Sequence, residues 1–277
     1  MSSIVAVAGG TGNLVASSSN VSLPVANTKS SFSPVSEAKS KELGSEILTL
    51  DYSNVDSMVQ VLQENKVDTV ISTLGSMSGT AHELALIEAA NQSATTKRYI
   101  PSTWGINYTP EVTKISPLAE GKISYLTALS QTTLEYTCVI NGFFLDYYLQ
   151  PPIKSHLSCL TLAINTANKP AAIPSTGNVP IAITYTYDIG TLIAALLTHQ
   201  PSRQKEPHII SDNLTLHEFL ALAQEARGAE STTTHDAMET LESGRVTELP
   251  GHVAVYLFFL SRCCRAWDVV EWAVSWG

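Results

Sequence analysis

Gly9-Gly10-Thr11-Gly12-Asn13 directly follows the apolar, β-branched run Ile4–Ala8. A glycine turn leaving a buried strand lets the backbone approach a pyrophosphate, and a following helix points its first amides at the phosphates. The chemistry implied is dinucleotide binding, although the spacing by itself also fits an ordinary tight turn. Other constellations carry less. The seven histidines lack His-Glu-x-x-His spacing, and the chain has no Gly-x-Ser-x-Gly elbow. Metal-assisted and serine hydrolysis therefore lack their residues. Lys122 has Leu118 four residues before it, so the Tyr-x-x-x-Lys pair of the commoner short-chain reductases is missing. Taken alone, Lys122 reads as an exposed helix lysine. Asp146 and Asp188 invite a paired-carboxylate site, but nothing fixes them together, and Asp188 stands where an N-cap residue would.

The elements that must position these residues alternate between strand and helix. Ile4–Ala8, Ile47–Leu50, Val67–Leu74, Arg98–Pro101 and Tyr136–Asn141 read as strands, with helices over Val55–Glu64, Ala81–Asn91 and Leu118–Leu129. This alternation predicts βαβ units and a Rossmann-type, doubly wound parallel sheet. Loops at the carboxyl ends of such strands line the ligand crevice. That topology makes candidates of Thr73, Leu74 and Gly75, of Pro101, Ser102 and Trp104, and of Asn141, Gly142, Phe143 and Phe144. The aromatics among Phe143, Phe144, Tyr147 and Tyr148 are equally readable as core. We expect a dinucleotide-binding domain over residues 1–150 and a smaller substrate-covering region over 151–277, where prolines break the chain into short pieces. In that second region the sequence predicts a helix over Asp188–His199, a strand over His208–Ser211, and a capping box, Thr215-x-x-Glu218, opening a helix over Phe219–Ala226.

Composition narrows the classes. The chain of 277 residues is 44% hydrophobic and 15% charged, as a folded domain is, and its net charge of −9 argues against a nucleic-acid surface. Four cysteines without metal or disulfide spacing fit a reducing compartment. No apolar run approaches the roughly 20 residues of a membrane span. The expectation is a cytoplasmic protein with no membrane or nucleic-acid partner.

Several runs together resemble the NmrA-like, isoflavone-reductase-type proteins of fungi: V-A-G-G-T-G-N (7–13), I-S-T-L-G (71–75), Y-I-P-S-T-W-G (99–105), N-G-F-F-L-D-Y-Y (141–148), A-A-I-P (171–174), F-L-A-L-A-Q-E-A-R-G (219–228) and V-T-E-L-P (246–250). The resemblance implies an NAD(P)H-dependent reductase of a small aromatic or enone-like metabolite, using NADPH rather than NADH. It implies cofactor contacts from Gly9, Gly10, Thr11, Gly12 and Asn13 and from the strand-end loops named above. It also makes Lys122 the residue beside the nicotinamide, as general acid–base or ribose anchor, with Phe143 and Phe144 covering the ring and the tyrosines lining a substrate pocket. The same family implies a second possibility, a non-catalytic redox-sensing regulator that binds NAD(P) and a protein partner.

One stretch departs from the pattern. Residues 14–36 are serine-rich and lack the third glycine, the amphipathic helix and the basic residue closing the second strand, which resembles the clamp on the NADP 2′-phosphate. Back-translated and read one base out of register, Val15–Ser36 permits all three features, and Phe258–Trp267 within the atypical tail, 257–277, permits a similar re-reading. We expect two out-of-frame stretches from a gene-model or splice variant, a gap in the sheet, and weakened cofactor binding.

Overall fold

The computed structural model describes residues 4–9, 25–28, 47–75, 79–113, 116–149, 153–167, 169–198, 205–243 and 245–250. Its elements in chain order begin with strands β1 (Ile4–Ala8), β2 (Val25–Thr28) and β3 (Ile47–Leu50). There follow α1 (Val55–Glu64), β4 (Val67–Ser72), α2 (Ala81–Gln92), β5 (Arg98–Ile100), α3 (Pro110–Thr113), α4 (Pro117–Ser130) and β6 (Glu135–Tyr136). All six strands pair in parallel in the order β3-β2-β1-β4-β5-β6. That is the Rossmann order, with its reversal between β1 and β4. Residues of β1 and β4 are buried almost throughout, as expected where helices cover both sheet faces.

The core beneath this sheet is built from Met58 and Leu62 of α1, Leu86 and Ile87 of α2, and Tyr125 and Leu129 of α4. Met58 and Leu62, like Tyr125 and Leu129, are four residues apart, and Leu86 is joined by Ala89 and Ala90 three and four residues on, so each helix turns one apolar stripe inward. The side chain of Asn54 caps α1 by accepting from the Ser57 amide at 3.0 Å.

The expected gap in the sheet is not found. β2 lies inside the irregular stretch and pairs with β1 through Val7–Val25 and Ala8–Ala26, and with β3 through Val25–Ile47 to Thr28–Leu50. Four residues suffice because a strand bonded on both sides is specified by its neighbours as much as by its own propensity. The rest of 14–36, and the tail 257–277, lie outside the described residues. The predicted fifth strand is also shorter in its ladder. After β6 the Thr137 amide still donates to Tyr99 O, and then the partner changes, the Cys138 amide donating to Lys205 O and the Ile140 amide to Pro207 O.

The chain divides into two compact units, one of Met1–Trp104, Leu118–Ile140 and Tyr187–Ile209, the other of Gly105–Pro117, Asn141–Thr186 and Ile210–Gly277. The second unit holds β7 (Phe143–Phe144), a 3₁₀ turn (Leu145–Tyr148), β8 (Pro170–Pro174), β9 (Pro180–Thr184), β10 (Asp212–Thr215), α6 (Leu216–Arg227), β11 (Thr232–Asp236) and α7 (Met238–Glu242). Helix α5 (Thr186–Thr198) begins in it. β9 is flanked by β10 and β7, and β8 pairs with β11.

Two local expectations change here. Residues 208–211 form no strand of their own: they contribute an isolated bridge, Ile140–His208, and a bond from the Ser211 amide to Ile183 O, and the strand proper is β10. Asp188 is no N-cap, because α5 starts two residues earlier and Asp188 sits exposed in its first turn. The carboxylate that anchors this helix start is Asp146, fully buried, accepting from the Thr186 amide at 2.9 Å, Thr186 Oγ1 at 2.7 Å and Ser155 Oγ at 2.7 Å. Its partners make Asp146 a structural residue rather than half of a catalytic pair.

Candidate functional site

Gly9 leaves β1 with φ of +76°, and a Cβ there would stand 2.9 Å from Thr73 Oγ1 and 3.1 Å from Thr73 O. Only glycine meets both demands. Thr73 closes the approach by donating its amide and its hydroxyl to Ala8 O, each at 2.9 Å. The carboxyl ends of β1 and β4, the two strands at the topological switch, are thereby stitched together. Gly10, Thr11, Gly12 and Asn13 lie outside the described residues.

The loops after β4 and β5 are tied in the same way. Ser102 Oγ donates to Leu74 O at 2.8 Å, and Trp104 Nε1 donates to Ser72 O at 2.9 Å. Pro101 O accepts the Thr103 amide at 2.7 Å. Gly75 ends this group with open space where a Cβ would be. The first unit thus brings together Gly9, Thr73, Leu74, Ser102 and Trp104.

Lys122, on α4, is buried, with 8% of its surface exposed. The exposed-helix reading of this lysine fails. Its Nζ donates to Ser102 O and lies 5.5 Å from the centroid of the Tyr125 ring. Burial lowers its proton affinity to about 8, against the opposing pull of the Glu83 carboxyl. An amine in that range exchanges a proton near neutral pH, which a solvated lysine does not.

Glu83, in the first turn of α2, is the site residue that sequence reading missed. It is 2% exposed. Its Oε1 accepts from Tyr99 Oη at 3.1 Å and from the Ser102 amide at 3.2 Å, and Ser72 Oγ donates to its other oxygen. Burial pushes this carboxyl above its ordinary value, while Ser72, the Ser102 amide, Lys122 and Tyr99 act against that rise. Burial and the neighbouring Glu83 also raise the phenols of Tyr99 and Tyr52, and Tyr125 is pushed up to about 12. All three phenols therefore remain protonated, and Tyr99 is the one that donates to Glu83. The signal that could have found Glu83 is weak: an acid one helix turn after a strand-end loop.

Asn141, Gly142, Phe143 and Phe144 belong to the second unit. Asn141 is fully buried and accepts from the Gly105 amide at 2.9 Å, while its backbone O accepts from Thr184 Oγ1 at 2.6 Å. Gly142 has φ of +65°, and a Cβ would meet Ala182 O at 2.2 Å, so this turn too admits only glycine. Phe143 and Phe144 are half-buried, with Phe144 edge-on to Tyr147 at 5.7 Å. Tyr148 is buried edge-on against Phe219 at 4.8 Å and serves the core of its unit. Among the described residues no group of three or more His, Cys, Asp or Glu side chains fits a metal ion, and no helix is long and apolar enough to cross a membrane.

Known proteins with this pattern agree with the fold. The profile of the NmrA-like family matches residues 1–254. Oxidoreductase BOA1 of Botryotinia fuckeliana is 30% identical over 230 residues, covering 81% of this chain and 76% of that protein. Among solved structures, isoflavone reductase superposes with a TM-score of 0.74 at 19% identity, over 98% of this chain and 90% of its own. The binary complex of leucoanthocyanidin reductase with NADPH from Vitis vinifera gives 0.73 at 18% identity, over the same shares. In the irregular stretch, Lys29 is the next residue after β2, so a basic residue does follow the second strand. Its own placement lies outside the described residues.

Proposed function

The chain belongs to the NmrA-like family, and on that premise we propose that it is an NADPH-dependent reductase of a small aromatic or enone-like metabolite, with Lys122 as its proton donor. The observation that carries the reading is Lys122 itself: a buried amine of lowered proton affinity, held against the loop that follows β5. The cofactor fits the residues present. Gly9 and Thr73 form the close strand-end turn that a pyrophosphate needs, and Thr73, Leu74, Gly75, Pro101, Ser102 and Trp104 occupy the carboxyl-end loops. The family resemblance adds Gly10, Thr11, Gly12, Asn13, Asn141, Gly142, Phe143 and Phe144 as cofactor contacts.

NADPH supplies a hydride when bound. Lys122 supplies the proton that reduction of a conjugated carbonyl or benzylic centre also requires, and Ser102 O orients its ammonium. The name of the fungal relative and the NADPH complex of the leucoanthocyanidin reductase support the reductase class and the choice of cofactor. The cytosol is the compartment this reading favours, supported by the free thiols Cys138 and Cys159.

The test pairs calorimetric titration of NADPH and NADP⁺ with turnover on a panel of aromatic enones. Because β2 fills the sheet, the weakened cofactor binding expected from a gap gives way to an expectation of micromolar or tighter NADPH binding, with turnover that falls on the order of 10²–10⁴-fold in Lys122→Ala and cofactor binding kept. Tight binding without turnover, differing between the two cofactor forms, replaces the enzyme by a redox-sensing regulator with a protein partner. No measurable binding makes the chain a cofactor-deficient variant.

A further inference from the structure

The carboxyl of Glu83 and the amine of Lys122 meet the same residue from opposite sides. The Ser102 amide donates to Glu83 Oε1 at 3.2 Å, and the Ser102 carbonyl accepts from Lys122 Nζ. Ser72 from β4 and Tyr99 from β5 complete the hold on Glu83, which leaves the carboxyl with three donors and almost no contact with water. A carboxyl placed so deeply is costly unless a nearby group benefits from it.

We propose that Glu83 is the positioning residue of the lysine site: it clamps the loop after β5 through the Ser102 amide, aims the Ser102 carbonyl at Lys122, and through its charge sets how firmly Lys122 holds a proton. The inference deepens the reading of Lys122 as proton donor and rests on it. Burial acts on Lys122 to release its proton, and the negative charge of Glu83 acts to retain it. The balance between them holds the amine protonated at neutral pH, as a donor must be, yet able to give the proton up.

Among the described residues, few other groups are able to do this. Facing Glu83 are Ser72 from β4, Tyr99 from β5, Lys122 and Tyr125 from α4, and Tyr52 from the turn after β3. His82, on Glu83's own helix, is exposed and stacks on Tyr52 with ring centroids 5.5 Å apart. The three tyrosines keep their protons, so among the groups named Glu83 alone supplies a negative charge to Lys122 below the range of phenol ionisation.

The experiment is a direct titration of Lys122 in the full chain without cofactor or substrate. Protein carrying ¹³C-labelled lysine is followed by NMR, and the Lys122 Cε resonance is identified by its loss in Lys122→Met. The wild type is expected to titrate near 8. Glu83→Gln keeps an oxygen for Tyr99 and Ser102 but removes the charge, and is expected to lower the midpoint by about one unit. Glu83→Asp, which restores a carboxyl, brings it back towards the wild type. Ser72→Ala leaves the carboxyl in place and takes one donor from its charged form, so it moves the midpoint in the same direction by less. It stands in should Glu83→Gln fail to fold. A midpoint unchanged in every folded variant of the set overturns the proposal. A Lys122→Ala enzyme that keeps its turnover sinks the reductase mechanism alone, whereas an unmoved titration sinks this inference alone.

Discussion

Thr80-x-x-Glu83 and Thr215-x-x-Glu218 open two helices of similar length with the same four-residue pattern, one in each unit of the chain. Their outcomes are opposite. At α6 the capping box forms in full: Thr215 is extended, with φ of −69° and ψ of 157°, its hydroxyl accepts the Glu218 amide at 3.1 Å, and Glu218 accepts the Thr215 amide at 2.8 Å. At α2 Thr80 is already helical, with φ of −101° and ψ of −12°, and makes no side-chain cap bond. Its methyl instead packs so closely to Gly121 that a Cβ there would be 2.9 Å away. Glu83 turns inward to Ser72, Tyr99 and Ser102. The pattern fixes where a helix starts; the backbone of the threonine and the donors within reach fix what the glutamate does.

The largest test of that contrast is truncation of the inward glutamate. Glu83→Ala leaves the Tyr99 hydroxyl, the Ser102 amide and the Ser72 hydroxyl without their acceptor in a buried place. A loss of about 3 kcal/mol in denaturant unfolding is expected, since each orphaned buried donor is costly. A loss no greater than that of removing the α6 cap breaks the comparison, because Glu83 is then no more than a second surface glutamate.

pH sharpens it further, because the two glutamates carry opposite signs. Glu83 holds its proton more tightly folded than unfolded. Its contribution is therefore full below the ordinary value of 4.5 and is lost as pH rises through the folded value. Glu218, held below 4.5 chiefly by the Thr215 amide, contributes above 4.5 and loses that contribution as pH falls through its folded value. Stability measured across this range for the two Glu→Gln variants is expected to diverge. Glu83→Gln gains on the wild type as pH rises above 4.5, whereas the deficit of Glu218→Gln closes as pH falls below it. Parallel curves refute the assignment of the two environments.

Much of the frame was legible because it rests on local rules. The apolar runs of β1 and β4, the stripes of α1 and α4, and the capping box of α6 each follow from neighbours in sequence. Gly9 was legible as a turn, and its φ and its crowding by Thr73 give the physical reason. Glu83 was not legible, because its donors come from residues 11, 16 and 19 positions away, brought together only by the parallel order of β4 and β5. Lys122 was singled out by family resemblance, and its burial is a tertiary fact that no spacing announces. β2 escaped for the converse reason: flanked by serines and a proline, it lacks a pattern of its own and is a strand through pairing on both sides.

The smallest effect comes from the outward pattern. Thr215→Ala removes the hydroxyl that accepts the Glu218 amide, leaving the reciprocal bond from the Thr215 backbone to Glu218 in place. Half of a box remains, and water reaches the exposed helix start, so the freed amide is solvated rather than orphaned. A loss of about 1 kcal/mol is expected, as for helix caps in general. Because Lys122 is set by burial and by Glu83, with neither Thr215 nor Glu218 among its causes, its titration should not move in this variant, while it moves in Glu83→Gln. A cap variant that shifts Lys122 as far as the glutamate variant does would mean that general loosening, not the charge of Glu83, governs the amine.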